Sequence, residues 1–253
     1  MNKLDVCLYK FTINNINYKL LNFFVILHPN IFISLCKLNF MEEYLRETWF
    51  FDYNQPEIQE ILNRLNLKNL DTIEKLRSIF YFVRDQFNYS VKNLSFEKDV
   101  FKASNTVLKK DSFCIPKAIL LATMARAIGV PSRIHLVDFI NHRLSDKLAE
   151  LWGTRVMASH SYAELYINGK WVKSTPALDL TTCKNHGFIP VEFHPSDDGL
   201  LSSVDVNDNP HAEYVKDHGV YDDVPYELIL KIIHSTYGHL VSKLSFEADI
   251  PTF

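Results

Sequence analysis

The sequence predicts an α+β fold in which a central buried helix packs against an antiparallel sheet, and three stretches carry that expectation. Residues 115–128 hold only Lys117, Thr123 and Arg126 as polar side chains, so a helix there is apolar nearly all round and belongs inside the fold. Asn168-Gly169, with alternating residues on both sides, is the preferred pair for a two-residue hairpin turn. Asp71 and Glu74 make a capping-box pattern, and Ile73, Leu76, Ile79, Phe80, Val83 and Phe87 follow at helical spacing.

Length and composition fit one globular protein. With 253 residues, 47% of them hydrophobic, the chain can bury a sizeable core. A net charge of -3 gives no basic field for neutralising phosphates, so no nucleic acid partner is expected. Four scattered cysteines, Cys7, Cys36, Cys114 and Cys183, do not make a disulfide framework, which points to a reducing, cytoplasmic setting. The first forty residues lack Ala, Gly and Glu altogether. Their longest apolar run, Phe23 to Leu27, falls well short of the roughly 20 residues of a spanning helix, so no membrane anchor is expected. Ile33-Ser34-Leu35-Cys36-Lys37 is a poor signal cleavage site, and Met41 reads as a natural start. Residues 1–40 are therefore set apart as an atypical N-terminal extension, read either as a folded N-terminal element or as an upstream stretch outside the working protein. Residues 41–253 are expected to form a single domain, with a core over about 71–179 and a C-terminal extension over 180–253.

The elements then follow in order. The Asp71 helix should end near Asn88-Tyr89-Ser90, and residues 91–110 read as loop with one helical turn. The buried helix starts at Cys114-Ile115, tolerates Pro116 in its first turn, and stops at Gly129 as a C′ glycine. Residues 130–137 leave it as a strand, and Leu144 to Trp152 form a short helix. The hairpin register pairs Ile167 with Lys170, Tyr166 with Trp171, Glu164 with Lys173 and Tyr162 with Thr175, and carried outward it sets His160 opposite Ala177. Glu164 and Lys173 should form a cross-strand ion pair. After Asp179, Pro190, Pro195, Gly199 and Pro210 divide the chain into short strands and turns, and Pro225 to Tyr237 closes it as a helix.

Cys114 and His160, 46 residues apart, carry the chemistry. A helix N-terminus bears about half a positive charge and free N–H groups, which favour a thiolate, and a strand-borne imidazole supplies the base that thiol catalysis needs. Either residue alone also reads as structural, a buried small hydrophobe or a strand histidine.

Cys114-Ile115-Pro116-Lys117-Ala118, running on to Arg126-Ala127-Ile128-Gly129-Val130-Pro131-Ser132-Arg133, resembles the transglutaminase-like superfamily. His160-Ser161-Tyr162-Ala163-Glu164-Leu165-Tyr166 with Trp171-Val172 is similar to its histidine block. Phe82-Val83-Arg84-Asp85-Gln86-Phe87-Asn88-Tyr89-Ser90 matches its lead-in, and His211 to Gly219 is similar to the tail of bacterial transglutaminase-like proteins of unassigned substrate. The resemblance implies a papain-like core in which Cys114 attacks an amide carbonyl and His160 acts as base and acid. It further implies a hydrolase or acyltransferase working on a protein or peptide amide. A third polar residue would orient the imidazole. Thr175 stands where the superfamily has aspartate, and Asp179, four residues on, is the other candidate. Backbone N–H of Cys114 is a natural oxyanion donor, whereas Val107 to Phe113 offers no Gln, Asn or Trp side chain to join it.

No cofactor or metal is called for. Cys183 and His186 lie three residues apart without a second pair, and His194, His211 and His218 add no ligand spacing. These histidines are expected at the surface or in loops, Asp217-His218-Gly219 as a turn, and Arg126 and Arg133 as anchors of loops through carboxylates.

Overall fold

The computed structural model describes residues 41–92 and 94–244, so the expectations for residues 1–40 fall outside the described residues. The chain divides into Met1–Arg46 and Glu47–Phe253, and every element below lies in the second unit. Helices α1 (Pro56–Arg64), α2 (Thr72–Gln86), α3 (Ala103–Thr106) and α4 (Cys114–Ala127) are followed by α5 (Asp146–Trp152), α6 (Leu180–His186) and α7 (Tyr226–Leu244). The strands are β1 (Asn88–Tyr89), β2 (Asp111–Ser112), β3 (Ser132–Asn141), β4 (Val156–Ile167), β5 (Lys170–Ser174) and β6 (Ala212–Tyr221). Among the described residues no helix is long and apolar enough to cross a membrane.

Local chemistry sets the element ends. The carboxylate of Asp71 accepts the N–H of Glu74 while the Glu74 carboxylate accepts the N–H of Asp71, closing the capping box that starts α2. Gly129, at φ +81°, ends α4 in the left-handed region that glycine enters without strain. Ser145 caps α5 through the N–H of Leu148.

The four main strands form one antiparallel sheet in the order β5-β4-β3-β6, and α4 packs across it. Ala118, Ile119, Leu121, Ala122 and Ala125 of α4 meet Ile134, Leu136, Ala163 and Leu165 in a fully buried core. α2 lies against α4 and buries Leu76, Ile79, Phe80 and Val83. This is the expected arrangement of a central buried helix on an antiparallel sheet. Hydrogen bonds bind its layers: Ser132 Oγ donates to the Ala122 carbonyl (2.7 Å), and Arg126 reaches the carbonyls of Ser132 (2.8 Å) and Asp222 (2.6 Å). Arg126 thus anchors through these carbonyls, and its guanidinium also lies 4.0 Å from the Phe51 ring centroid.

The hairpin keeps its predicted register from Ile167–Lys170 to Ala163–Ser174 and then departs from it. After Ser174 the chain turns toward Gly199: Thr175 N–H donates to the Gly199 carbonyl (2.9 Å), and Gly199 N–H donates to the Lys173 carbonyl (2.8 Å). A Cβ on Gly199 would lie 3.2 Å from the Glu192 carbonyl oxygen, a tight contact that glycine avoids. The predicted Tyr162–Thr175 and His160–Ala177 pairings are therefore not formed, and β4 keeps a free edge beyond Ala163.

Three more expectations are corrected. Glu164 does not pair with Lys173: it accepts Arg133 Nε (2.7 Å) and contacts His135 Nδ1 (2.7 Å), while Lys173 lies 3.9 Å from Asp198. Asp217-His218-Gly219 is no turn but part of β6, where Asp217 Oδ1 contacts His135 Nε2 (2.9 Å) and His218 Nε2 lies 2.8 Å from Asp138. His211 is buried rather than superficial, with its ring stacked 4.2 Å from that of Phe188.

Candidate active site

Two tethers fix the start of α4. Phe113 enters the helix extended and no side chain caps the first turn, which leaves its N–H groups without helical partners. Just upstream, β2 pairs in parallel with β1, Asn88 opposite Asp111 and Tyr89 opposite Ser112. One turn into the helix, Lys117 is fully buried and its ammonium donates to the carbonyls of Arg84 (2.8 Å) and Phe87 (3.0 Å) at the end of α2.

The thiol of Cys114 rests at the free edge of β4. The N–H groups of Ser161, Ile115 and Cys114 itself point at the sulfur. In this register the N–H of Ser161 faces the side that β5 has left, so the thiol takes the place of the missing strand partner.

His160 precedes Ser161 and sits just after an irregularity in β4. Val137 pairs with His160 and Phe139 with Met157, so β4 carries one extra residue there, a bulge of the kind that re-aims a neighbouring side chain. Ser159 absorbs it at φ +58°, an uncommon conformation for a residue other than glycine. Its N–H donates to Asp138 Oδ1 (2.8 Å). The imidazole is buried, edge-on to Phe139 (5.0 Å between centroids) and 6.3 Å from the Tyr214 ring.

Cys114 thus lies against the N–H of Ser161, the residue after His160, and among the described residues no hydrogen bond joins the Cys114 and His160 side chains. Burial dominates the electrostatics of both. It pushes the Cys114 thiol up to about 11, against the opposing pull of the three N–H groups and of Lys117, and it pushes His160 down to about 3. Cys114 is half-buried, and desolvation opposes the helix terminus, so it works against the expected lowering of the thiol pKa.

The candidate third members are placed as follows. Asp179 is the N-cap of α6, a short helix that the sequence reading left as turns. Its carboxylate accepts the N–H (2.9 Å) and hydroxyl (2.7 Å) of Thr182 and the N–H of Tyr89 (2.7 Å). These bonds hold its pKa below the usual carboxylate value despite burial, and none of them goes to His160. Helix capping and the β1 N–H use the oxygens of Asp179, one of the two candidates for orienting the imidazole. Thr175 Oγ1 and His160 Nε2 are both buried without any hydrogen-bond partner. Replacing Asp179 by Ala removes a cap, about 0.5–2 kcal/mol, and leaves the Tyr89 N–H unpaired, about 1–3 kcal/mol. A urea midpoint lowered by an equivalent of roughly 2–4 kcal/mol is the expected result.

Several residues of the site were not legible in the sequence. Tyr89, Tyr214 and Tyr237 lie near enough to Cys114 for its anion to raise the pKa of their phenols further, beyond the larger effect of burial. Tyr237 donates to the Val156 carbonyl (2.6 Å) and accepts the N–H of Ala158 (2.8 Å), tying α7 to β4. A cavity of about 20 Å³, room for one water, is lined by His160, Asn141, Thr182, His211, Tyr89 and Leu201 among others. Nδ1 of His211 is a further buried atom without a partner, and burial pushes this imidazole down to about 4. The three tyrosines and His211 come from elements far apart in the chain, so no local pattern marks them.

Two neutral buried histidines make stability depend on acid. With folded values near 3 and 4 and an ordinary value of 6.5, the unfolded chain binds more protons between those limits. The contribution of these two imidazoles is full above pH 6.5 and falls as pH drops below it, by up to about 1.4 kcal/mol per pH unit for each. His135 acts in the opposite sense. Glu164 and Asp217 raise its pKa against desolvation, so its contribution is complete below pH 6.5 and does not offset the loss. The lowered carboxylates Glu164 and Asp179 lose theirs only nearer pH 4. Urea midpoints should therefore fall between pH 6.5 and 5, and less steeply in His211→Gln.

Among the described residues no group of three or more His, Cys, Asp or Glu side chains is arranged to hold a metal. No curated protein matches the chain. A solved structure from Cytophaga hutchinsonii, named as a putative cysteine protease, is similar at 15% identity over 72% of this chain, with a TM-score of 0.43. The match covers 54% of that protein, so this chain spans about half its length. Residues 59–176, from within α1 to just past β5, match the family model of the transglutaminase-like superfamily.

Proposed function

We propose that the protein is a cysteine-dependent amide hydrolase or acyltransferase in which Cys114 is the nucleophile and His160 its base and acid. The observation that carries this reading is the seating of the thiol at the head of a buried helix, against the N–H of Ser161 and one residue from the imidazole. The S–H proton passes to neutral His160 as sulfur attacks the carbonyl carbon, and the oxyanion takes up the N–H groups of Cys114 and Ile115 that point at the sulfur in the resting protein. The C–N bond then breaks, the imidazolium proton leaves with the amine, and a thioester remains. Water or a second amine attacks that thioester, gives its proton to His160, and the departing sulfur takes it back. Water gives hydrolysis and an amine gives transfer. Such chemistry needs a reduced thiol, and Cys114 and Cys183 are free, which fits a reducing, cytoplasmic setting.

A second reading, a binding or scaffold protein that retains the fold, is favoured by one observation: no carboxylate contacts His160, and its Nε2 and Thr175 Oγ1 are buried without partners. Incubation with glutamine-containing peptides and a primary amine separates the two. Ammonia release with or without amine incorporation, or peptide cleavage, each abolished in Cys114→Ala, supports the enzyme; equal traces of product in both proteins support the scaffold.

A further inference from the structure

The proposed reaction lacks a side-chain donor for the oxyanion among the residues before Cys114, and the segment beyond the family core supplies a candidate. Tyr214 lies on β6, outside the matched residues 59–176. Its ring is 6.3 Å from that of His160, 5.9 Å from Phe139 and 6.5 Å from Tyr162, so it forms a wall of the site. Its hydroxyl oxygen accepts the N–H of Leu201 (3.3 Å), a residue that lines the cavity beside His160. Among the described residues its O–H has no protein acceptor. Tyr237, by contrast, has already committed both its proton and an oxygen lone pair to β4.

We propose that Tyr214 is a catalytic residue whose O–H hydrogen-bonds the oxyanion of the tetrahedral intermediate formed on Cys114; this rests on the thiol-enzyme reading above. No proton is transferred. The phenol donates as negative charge develops on the former carbonyl oxygen, and the bond weakens when the C=O re-forms. The Leu201 N–H polarises the phenol toward its acceptor, because a hydrogen bond received at oxygen strengthens the one given. Burial raises the phenol pKa further, so the group stays a donor through the working pH range. The C-terminal extension would then complete the site rather than only cover it.

The test compares wild type, Tyr214→Phe and Cys114→Ala as full chains, with p-nitrophenyl acetate as acyl donor and iodoacetamide as a control that alkylates the thiol without forming an oxyanion. Acylation of Cys114 in Tyr214→Phe should fall about 100- to 1,000-fold, the usual effect of losing one oxyanion donor. Alkylation should change less than about threefold. Acylation within threefold of wild type overturns the assignment, as does an equal fall in both reactions, which would mean only a displaced thiol. Loss in Tyr89→Phe with Tyr214→Phe at the wild-type rate overturns it too. If Tyr214→Phe does not fold, difluorotyrosine at position 214 keeps the shape: a donor shifts the alkaline limb of the acylation profile toward neutral pH, and a structural ring leaves it in place. Wild type that acylates no faster than Cys114→Ala removes the enzyme reading itself, an outcome separate from failure at Tyr214 alone.

Discussion

Replacing His160 by Asn is expected to slow acylation of Cys114 by p-nitrophenyl acetate about 10²- to 10⁴-fold at pH 7, the usual worth of a positioned general base. The thiol value of about 11 sets the demand. At pH 7 only about one thiol in 10⁴ is ionised, so attack requires a group to take the proton as sulfur closes on carbon. In the proposed mechanism neutral His160, one residue from the Ser161 N–H that points at the sulfur, is that group. The deficit has a pH signature: it should shrink as pH rises toward 11, where the thiolate forms without help. Stopped-flow release of p-nitrophenolate between pH 7 and 10 measures it. A deficit that stays constant with pH would mean that His160 acts by packing alone.

The largest stability effect is expected at Lys117. Its ammonium satisfies two buried carbonyls, of Arg84 and Phe87, beyond which α2 has no further helical donors. Lys117→Met fills similar space but leaves both carbonyls unpaired, at about 1–3 kcal/mol each, partly offset by relief of a buried amine. A net loss of about 2–4 kcal/mol follows, read as a lower urea midpoint with unchanged slope. Desolvation lowers the Lys117 pKa from 10.5 to about 7, with Asp179 and Asp85 opposing it. Between pH 7 and 10.5 the unfolded wild-type chain therefore binds more protons than the folded one, and wild type gains stability as pH rises. The gap between wild type and Lys117→Met should widen from pH 7 to 9. A gap that narrows would contradict the buried, weakly basic amine.

Where local pattern governs, the sequence reading and the fold agree. The Asp71–Glu74 box starts α2, Gly129 ends α4, and the two-residue turn sets the hairpin register as far as Ser174. The register fails beyond Ser174 because Gly199, twenty-five residues on, draws the chain away. Asp179 was weighed only as a partner for His160, although Asp179 before Leu180-Thr181-Thr182, with Gly187 after His186, also carries the signals of a short capped helix. β6 went unread because its alternation is broken by two register shifts against β3. At Cys114 the helix terminus is legible in the sequence, but the desolvation that opposes it arises only in the tertiary fold, which also brings Tyr89, Tyr214 and Tyr237 near the thiol.

The central claim is that Cys114 forms an acyl intermediate with His160 as its base. Intact-mass and peptide-mapping mass spectrometry of the full chain, quenched in acid after mixing with p-nitrophenyl acetate at pH 7, tests it most directly. The expected result is one acetyl group on Cys114 in wild type, formed far more slowly in His160→Asn and absent from Cys114→Ala. Acetylation spread over surface lysines at the same rate in all three proteins, with Cys114 unmodified, would contradict it.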